Sequence, residues 1–416
     1  MLLRTEVTAE GSLVDAMTEV TVIVTVYNGA EFLAEAIESA LAQTLAGVEV
    51  IAVDDGSTDA TPAILDRFRP RIAVVRHENR GLSAARNGVL PHVRSPFVAF
   101  LDHDDLWEPT FLARGVGELV GAGERVAGAV AGRTHIDRDG HELPGTRRPV
   151  QATLDLPSLV IGNRFAPGQV VLRRQALADA GGFDAALHGT LDWDLWLRLA
   201  KAGWRFVSIA DCLWRYRRHA HNMSNQAAAM RDDGLRTLDK LFADPALPPE
   251  VRALRPRAVG NVWLHASAQL YALGCDRDGE HDFAAAVARC PELLGDEETY
   301  WAILCAEQPE GYKASPLHLD VDRAERRLIA ALAACRAAGT VDETSYRTSL
   351  ARTYRALATL AYGQRRMAAV RRYTGRAVRA APSLSLDRRT IAPAVKSLAG
   401  ERVIAALSRR RRHRAP

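Results

Sequence analysis

The sequence predicts an α/β domain followed by an all-α helical one, and three observations carry that expectation. From Val20 to Leu101, β-branched apolar runs alternate with segments whose apolar residues recur at helical spacing. Three carboxylates, Asp102, Asp104 and Asp105, follow directly on the apolar run Pro96-Phe97-Val98-Ala99-Phe100-Leu101. After about Ser224 the composition shifts to Ala, Leu and Arg, and strand signals vanish.

Val20 to Val26 is a β-branched run and reads as the first strand. Ala30 to Leu41 puts Phe32, Ala36, Ile37, Ala40 and Leu41 on one helical face. Val48 to Val53 is the second strand, and Ser57-Thr58-Asp59 offers N-caps for a helix running towards Phe68. Arg71 to Val75 is the third strand, Leu82 to Leu90 a helix, and Pro96 to Leu101 the fourth strand. Such alternation implies a parallel sheet with right-handed crossovers. Further on, Val126 to His135 reads as a strand, Asp137 to Pro149 as a loop over the site, and Gln169 to Leu172 as a short strand. A helix then ends at Gly181-Gly182, and Asp192 to Ala200 is helical with Gly203 as its stop.

In the C-terminal half, Ala258 to Cys290 (followed by Pro291) and Leu350 to Ala381 (followed by Pro382) look alike. Each reads as two amphipathic helices joined by a short turn, near Gly274 and Gly363. They resemble tetratricopeptide hairpins with some signature Trp and Tyr positions unfilled; a generic helical bundle is the alternative. The expected division is an extension over 1–18, the α/β domain over 19–224, and a helical domain over 225–400 suited to a protein partner or self-association. A basic tail over 401–416 completes it.

A formal charge of +4 gives no case for nucleic acid as a partner. The terminal run Arg409-Arg410-Arg411-Arg412-His413-Arg414 is a solvated tail or a contact for anionic lipid. The five cysteines are odd in number and widely spaced, so neither a zinc site nor a disulfide framework is expected, and a reducing, cytoplasmic setting fits. Glu6, Glu10 and Asp15 interrupt any apolar core of a signal peptide, and no run of about 18 apolar residues spans a membrane.

Clustered carboxylates raise one another's pKa unless a cation joins them, and hard oxygen ligands at this density suit Mg²⁺ or Mn²⁺. The bland alternative is an acidic turn before the helix near Pro109. Other motifs accompany the cluster in a fixed order. These are Val24-Thr25-Val26-Tyr27-Asn28-Gly29, Val53-Asp54-Asp55-Gly56-Ser57-Thr58-Asp59, and Asn79-Arg80-Gly81-Leu82-Ser83-Ala84-Ala85-Arg86-Asn87. After the cluster itself come Gly181-Gly182-Phe183-Asp184 and Asp192-Trp193-Asp194-Leu195-Trp196. Together they resemble family 2 glycosyltransferases with the GT-A fold, over roughly residues 20 to 224.

That resemblance implies a nucleoside-diphosphate sugar donor. Tyr27 would lie against the base, with the Thr25 hydroxyl in reach of it, and Asp55 would accept from the base edge; Asp54 reads as structural. Arg86 would face the nucleotide. Asp102 and Asp104 form the DxD pair, Asp102 at the ribose or metal and Asp104 on Mn²⁺ or Mg²⁺, while Asp105 binds through water or orients the loop. His103 reads as a bystander. Asp192 is the candidate catalytic base and Asp194 the fallback; Leu191 stands where the family usually has Glu. Arg217-Arg218-His219 with Ser224 resembles the closing basic segment, which would cover the diphosphate, with His219 a candidate metal ligand; a polar surface loop is the alternative.

The implied reaction is inverting transfer to a hydroxyl of a glycan or lipid-linked acceptor in cell-surface polysaccharide synthesis. UDP is the commonest nucleotide, with TDP and GDP open. The setting is cytoplasmic, with peripheral contact at the inner membrane face. A nucleotidyltransferase would want a Gly-rich, Lys-bearing phosphate loop, which Val24 to Gly29 is not. The remaining rival is a catalytically degenerate sugar-nucleotide-binding scaffold, for which Leu191 is the best support.

Overall fold

The computed structural model describes residues 18–150, 153–220, 222–308 and 319–383, with Asp387 and Ala392. β1 (Val20–Val26) is buried at every position, as a strand covered on both faces must be. It is followed by α1 (Leu33–Leu41), β2 (Val48–Asp54), α2 (Thr61–Phe68), β3 (Ala73–Arg76), α3 (Leu82–Val89) and β4 (Phe97–Asp102). These four strands are parallel, in spatial order β3-β2-β1-β4. The chain winds outward from β1 to β3, then crosses to the far side of β1. Strand order therefore reverses between β1 and β4, and open α/β sheets bind ligands outside such a switch point. Thr25 stands opposite Asp102 across it.

The sheet continues through β5 (Leu106–Trp107), α4 (Phe111–Gly121), β6 (Val126–Ile136), α5 (Leu156–Val160), β7 (Val170–Arg173), α6 (Arg174–Ala180), α7 (Leu191–Lys201) and β8 (Arg205–Arg217). Its full order is β3-β2-β1-β4-β7-β6-β8-β5. The expected parallel arrangement holds for the first four strands, and the later ones make the sheet mixed. β7 runs antiparallel to both β4 and β6, and β5 antiparallel to β8. The strict strand–helix alternation that implies parallel crossovers ends at β4: β5 follows by a short turn and β7 enters from the loop after α5, so either direction is open to them. β8, thirteen residues long, has no counterpart in the sequence reading; it pairs with β6 through several register shifts. Val22, Val24, Leu33, Ile37, Leu101, Phe111, Val171 and Trp214 are among the buried residues of one core cluster against this sheet. Each such side chain contributes about 1.5–3 kcal/mol by leaving water.

Two compact units result. The first takes in the residues up to Ser224 and also Asp232–Arg255, beyond the boundary at 224 that composition suggests. It thus includes most of α8 (Ala227–Phe242) and all of α9 (Pro249–Arg252). The bonds explain why. Asp233 accepts from the backbone N–H groups of His188 and Gly189 (2.8 and 2.7 Å), Thr237 and Thr190 share a hydroxyl bond at 2.8 Å, and Lys240 reaches Asp184 and Asp194.

The second unit, from Pro256 onward with Asn225–Arg231, is built of helices and turns, with no strand among its described residues. It holds the bulk of α10 (Arg255–Ala272), then α11 (Asp276–Arg289), α12 (Glu297–Leu304), α13 (Val321–Ala337), α14 (Glu343–Gly363) and α15 (Met367–Ala380). Its core gathers Tyr271, Phe283, Leu328, Leu332, Leu357 and Tyr373. Buried Arg327 ties α13 to Asp276, Glu307 and the Tyr271 carbonyl. The two expected hairpins are α10–α11 and α14–α15. The second turns at Arg365 (φ +60°), just past the Gly363 read from the sequence. The basic tail and residues 1–17 lie outside the described residues.

Candidate active site

The β1 and β2 ends are braced on each other. Asn28, itself in the left-handed region at φ +49°, donates its N–H to Ser57 Oγ and accepts at Oδ1 from the Thr58 N–H. Asp59 accepts from the N–H groups of Ala30 and Thr61, so this acid joins two loops as well as starting α2. Asp54 is fully buried between the Ser57 N–H and Arg76 Nε, a structural acid. Asp55 accepts from the N–H groups of Arg80 (2.8 Å) and Gly81 (2.9 Å) and meets His77 Nδ1 at 3.2 Å. Its carboxylate therefore anchors the Asn79-Arg80-Gly81 turn as well as facing the crevice end of β2. Tyr27 stands 48% exposed at the crevice, and Thr25 Oγ1 is buried with no hydrogen-bond partner.

The acidic turn divides its carboxylates by direction. Asp102 Oδ1 receives Arg86 Nη2 at 2.5 Å. Arg86 is 1% exposed, and its guanidinium lies 5.3 Å from the Phe100 ring centroid and 5.4 Å from that of Phe183. A cation is costly to bury, and this one is held by an acid and two ring faces. Asp104 Oδ2 meets His219 Nε2 at 2.9 Å. Burial alone would push the Asp104 carboxyl up, but the His219 bond and the charges of His103 and His219 hold it below its ordinary value. Asp105 points away: it is 1% exposed, with Oδ1 on the Arg217 N–H (2.9 Å) and Oδ2 on Trp214 Nε1 (3.1 Å). Burial, then Asp104 and Asp102, push its carboxyl well above the usual range. Its place is inside the joint between the turn and β8. His103 lies against Gly29, where a methyl group would come within 2.2 Å of its Cδ2, so Gly29 is the residue that lets the acidic turn close over the β1 turn.

Arg217 is fully buried and points into the protein. Its Nε donates to the Asp104 carbonyl, Nη1 to the Arg138 carbonyl and Nη2 to Glu35, and the guanidinium sits 4.6 Å from the Phe32 ring centroid. Its donors are taken up by the frame, which corrects the expectation that it lies over a diphosphate. His219, by contrast, faces Asp104 and packs on Phe32. Asn222 steadies it, accepting from the His219 N–H (2.7 Å) with its Nδ2 3.2 Å from His219 Nε2.

Asp192 opens α7 and is 8% exposed. Burial raises its carboxyl to about 6, against the opposing pull of the Asn163 hydrogen bond, the Trp193 N–H and the Arg86 charge. Arg86 thus acts on both Asp102 and Asp192. Asp194 is occupied by Arg198 Nε (2.7 Å) and Lys240 Nζ (2.8 Å), so the fallback base is an ion-paired strut. Arg198 also donates to the Gly182 carbonyl, and Asn87 clasps Phe183 through both its N–H and its carbonyl. Gly182 takes φ +76°, and a Cβ there would come 2.6 Å from Asn87 Oδ1. The Gly181-Gly182-Phe183 motif is therefore a splice between α3 and α7. Trp193 and Trp196 are buried, and so is Leu191. Asn163 and Lys240 went unnoticed in sequence; neither carries a local motif.

Residues 21–181 match the family model described as Glycosyl transferase family 2, and residues 158–244 the one described as Glycosyltransferase like family 2. The Rickettsia prowazekii protein named uncharacterized glycosyltransferase RP339 is 30% identical over 212 residues, 50% of this chain and 66% of that protein. Succinoglycan biosynthesis protein ExoO of Rhizobium meliloti is 40% identical over 116 residues, 27% of this chain and 33% of its own. Among solved structures, the mannosyltransferase PcManGT from Pyrobaculum calidifontis, in complex with GDP-Man and Mn²⁺, is 21% identical with a TM-score of 0.49. That alignment covers 77% of this chain and 88% of that one. The chain spans 66% or less of the length of these two curated relatives.

Proposed function

Since its N-terminal unit makes this chain a member of glycosyltransferase family 2, we propose that it moves a sugar from a nucleoside-diphosphate sugar to an acceptor hydroxyl, inverting the anomeric carbon. The observation that carries this reading is Asp192, a buried carboxylate at about 6 whose charge is tempered by the same arginine that grips Asp102. A group at that pKa is mostly ionised at neutral pH and still basic enough to take a proton, as a general base must be. The donor is a UDP-sugar in the first instance. Its base lies near Tyr27 and Asp55, where the unpartnered Thr25 hydroxyl offers a further contact. Asp192 takes the proton of the acceptor hydroxyl, which attacks from the face opposite the leaving group, so an α-linked donor yields a β-linked product.

Asp104 and His219 carry donors that suit Mn²⁺, and Asp102, held here by Arg86, would add a second carboxylate of the kind that suits Mg²⁺. Asp104 Oδ2 and His219 Nε2 face each other at 2.9 Å, so one cation would meet both. Such a cation, when bound, supplies Lewis-acid neutralisation of the diphosphate leaving group. Arg217 and Asp105 keep the turn in place, and Arg86 aligns Asp102.

The relative named for succinoglycan biosynthesis supports a role in polysaccharide synthesis, and the acceptor we propose is a glycan or a lipid-linked one. No helix among the described residues is long and apolar enough to cross a membrane. In this proposal a lipid-linked acceptor is met at the cytoplasmic face of the membrane, and the helical unit serves a protein partner or self-association. Release of nucleoside diphosphate from a panel of UDP-, GDP- and TDP-sugars, with Mn²⁺ and with chelator, tests the reading. We expect release from one donor, abolished by chelation and by Asp104→Ala. No release from any donor would leave a sugar-nucleotide-binding scaffold in its place.

A further inference from the structure

Resting on the assignment of Asp192 as the base, we propose that Asn163 is its positioning residue, holding the carboxylate in its ionised, acceptor-facing form from a segment clamped onto α7. Asn163 Nδ2 donates to Asp192 Oδ2 at 2.9 Å, across 29 residues of sequence. The segment that carries it is pinned on both sides of Asn163 by α7 indoles: Trp193 Nε1 donates to the Leu159 carbonyl (2.7 Å) and Trp196 Nε1 to the Phe165 carbonyl (3.0 Å). Those two buried indoles fix the backbone that presents the amide, which is how a positioning group gains precision over a loop left to itself. The residue before the base cannot share the task, because Leu191 is apolar and only 3% exposed. Asn163 itself is exposed, while the Asp192 carboxylate it meets is buried.

The charged groups around Asp192 leave this role to an uncharged amide. Arg86 from α3 acts on it through its charge. On the clamped segment, Arg164 donates to the Ser158 carbonyl. On α7, Asp194 is bound by Arg198 and Lys240. A donated N–H favours the carboxylate anion, so its loss raises the pH at which Asp192 becomes a base.

The experiment measures the pH dependence of kcat/KM for donor turnover in the full chain, with wild type, Asn163→Ala, Asn163→Asp and Asp192→Asn in parallel. Affinity for the nucleoside diphosphate with Mn²⁺ is measured on each. We expect the acid limb, near pH 6 in wild type, to move up by roughly half to one pH unit in Asn163→Ala and further in Asn163→Asp, where a second carboxylate repels the first. Donor affinity should stay within about two-fold. An unmoved limb in both Asn163 variants, with Asp192→Asn inactive, overturns this inference and leaves the base assignment standing. Equal losses at every pH with a lowered melting temperature overturn it too, since they describe a merely structural side chain. An active Asp192→Asn overturns both.

Discussion

Replacing Asp192 by Asn should abolish transfer and at the same time stabilise the fold. Burial lifts the Asp192 carboxyl from 3.8 to about 6, so the folded chain binds that proton more tightly than the unfolded one does. Stability contributed by the protonated form is full below pH 3.8 and is lost as pH rises through the window up to about 6. Above that window the ionised side chain costs the folded state about 3 kcal/mol, two pKa units at roughly 1.4 kcal/mol each. Asn carries no charge and keeps a carbonyl to accept from Asn163, but it gives up the bond from the Trp193 N–H, about 1 kcal/mol. The net gain is about 2 kcal/mol, worth roughly 4–8 °C of melting temperature in a domain of this size. Thermal melts of both proteins from pH 5 to pH 8 read it directly. The gap should be widest above pH 6.5 and narrow towards pH 5. A variant that melts below wild type at pH 7.5, or a gap that ignores pH, would refute the picture of a buried carboxylate held ionised for use as a base.

Three other substitutions probe the frame. Arg217→Met leaves the Asp104 and Arg138 carbonyls without their donor, and chemical denaturation should show a loss of about 2–4 kcal/mol with weakened Mn²⁺ binding. Gly182→Ala meets both an unfavourable φ and Asn87, and should cost about 1–3 kcal/mol in the same assay. Thr25→Val removes a hydroxyl that has no partner in the fold, so melting temperature should hold or rise slightly. Donor affinity, measured by titration, should fall about three- to ten-fold, the worth of one hydrogen bond.

The strands that read most plainly in the sequence are those buried on both faces. β1, β2 and β4 read as apolar runs because parallel strands under helices leave no polar face. β8 did not, because Ser208, Asp211 and its exposed positions break the pattern of a strand near the sheet edge. The same limit applies to the site. Asp102, Asp104 and Asp105 are alike as letters, and only direction and burial separate a crevice acid from one locked beside Trp214. Arg217 read as an anion contact for its charge, yet its neighbours use every edge of the guanidinium. Asn163 and Lys240 carry no sequence signal, because what makes them matter is the residue they meet from 29 and 46 to 56 positions away.

In the proposed mechanism two carboxylates divide the labour, Asp104 towards the donor and Asp192 towards the acceptor. Equilibrium binding of nucleoside diphosphate with Mn²⁺, measured on Asp104→Ala and Asp192→Asn beside their turnover, separates the two roles. Asp192→Asn should bind as wild type does and turn nothing over, while Asp104→Ala should lose the binding itself. Retained binding and turnover in Asp104→Ala, or loss of binding in Asp192→Asn, would contradict that mechanism.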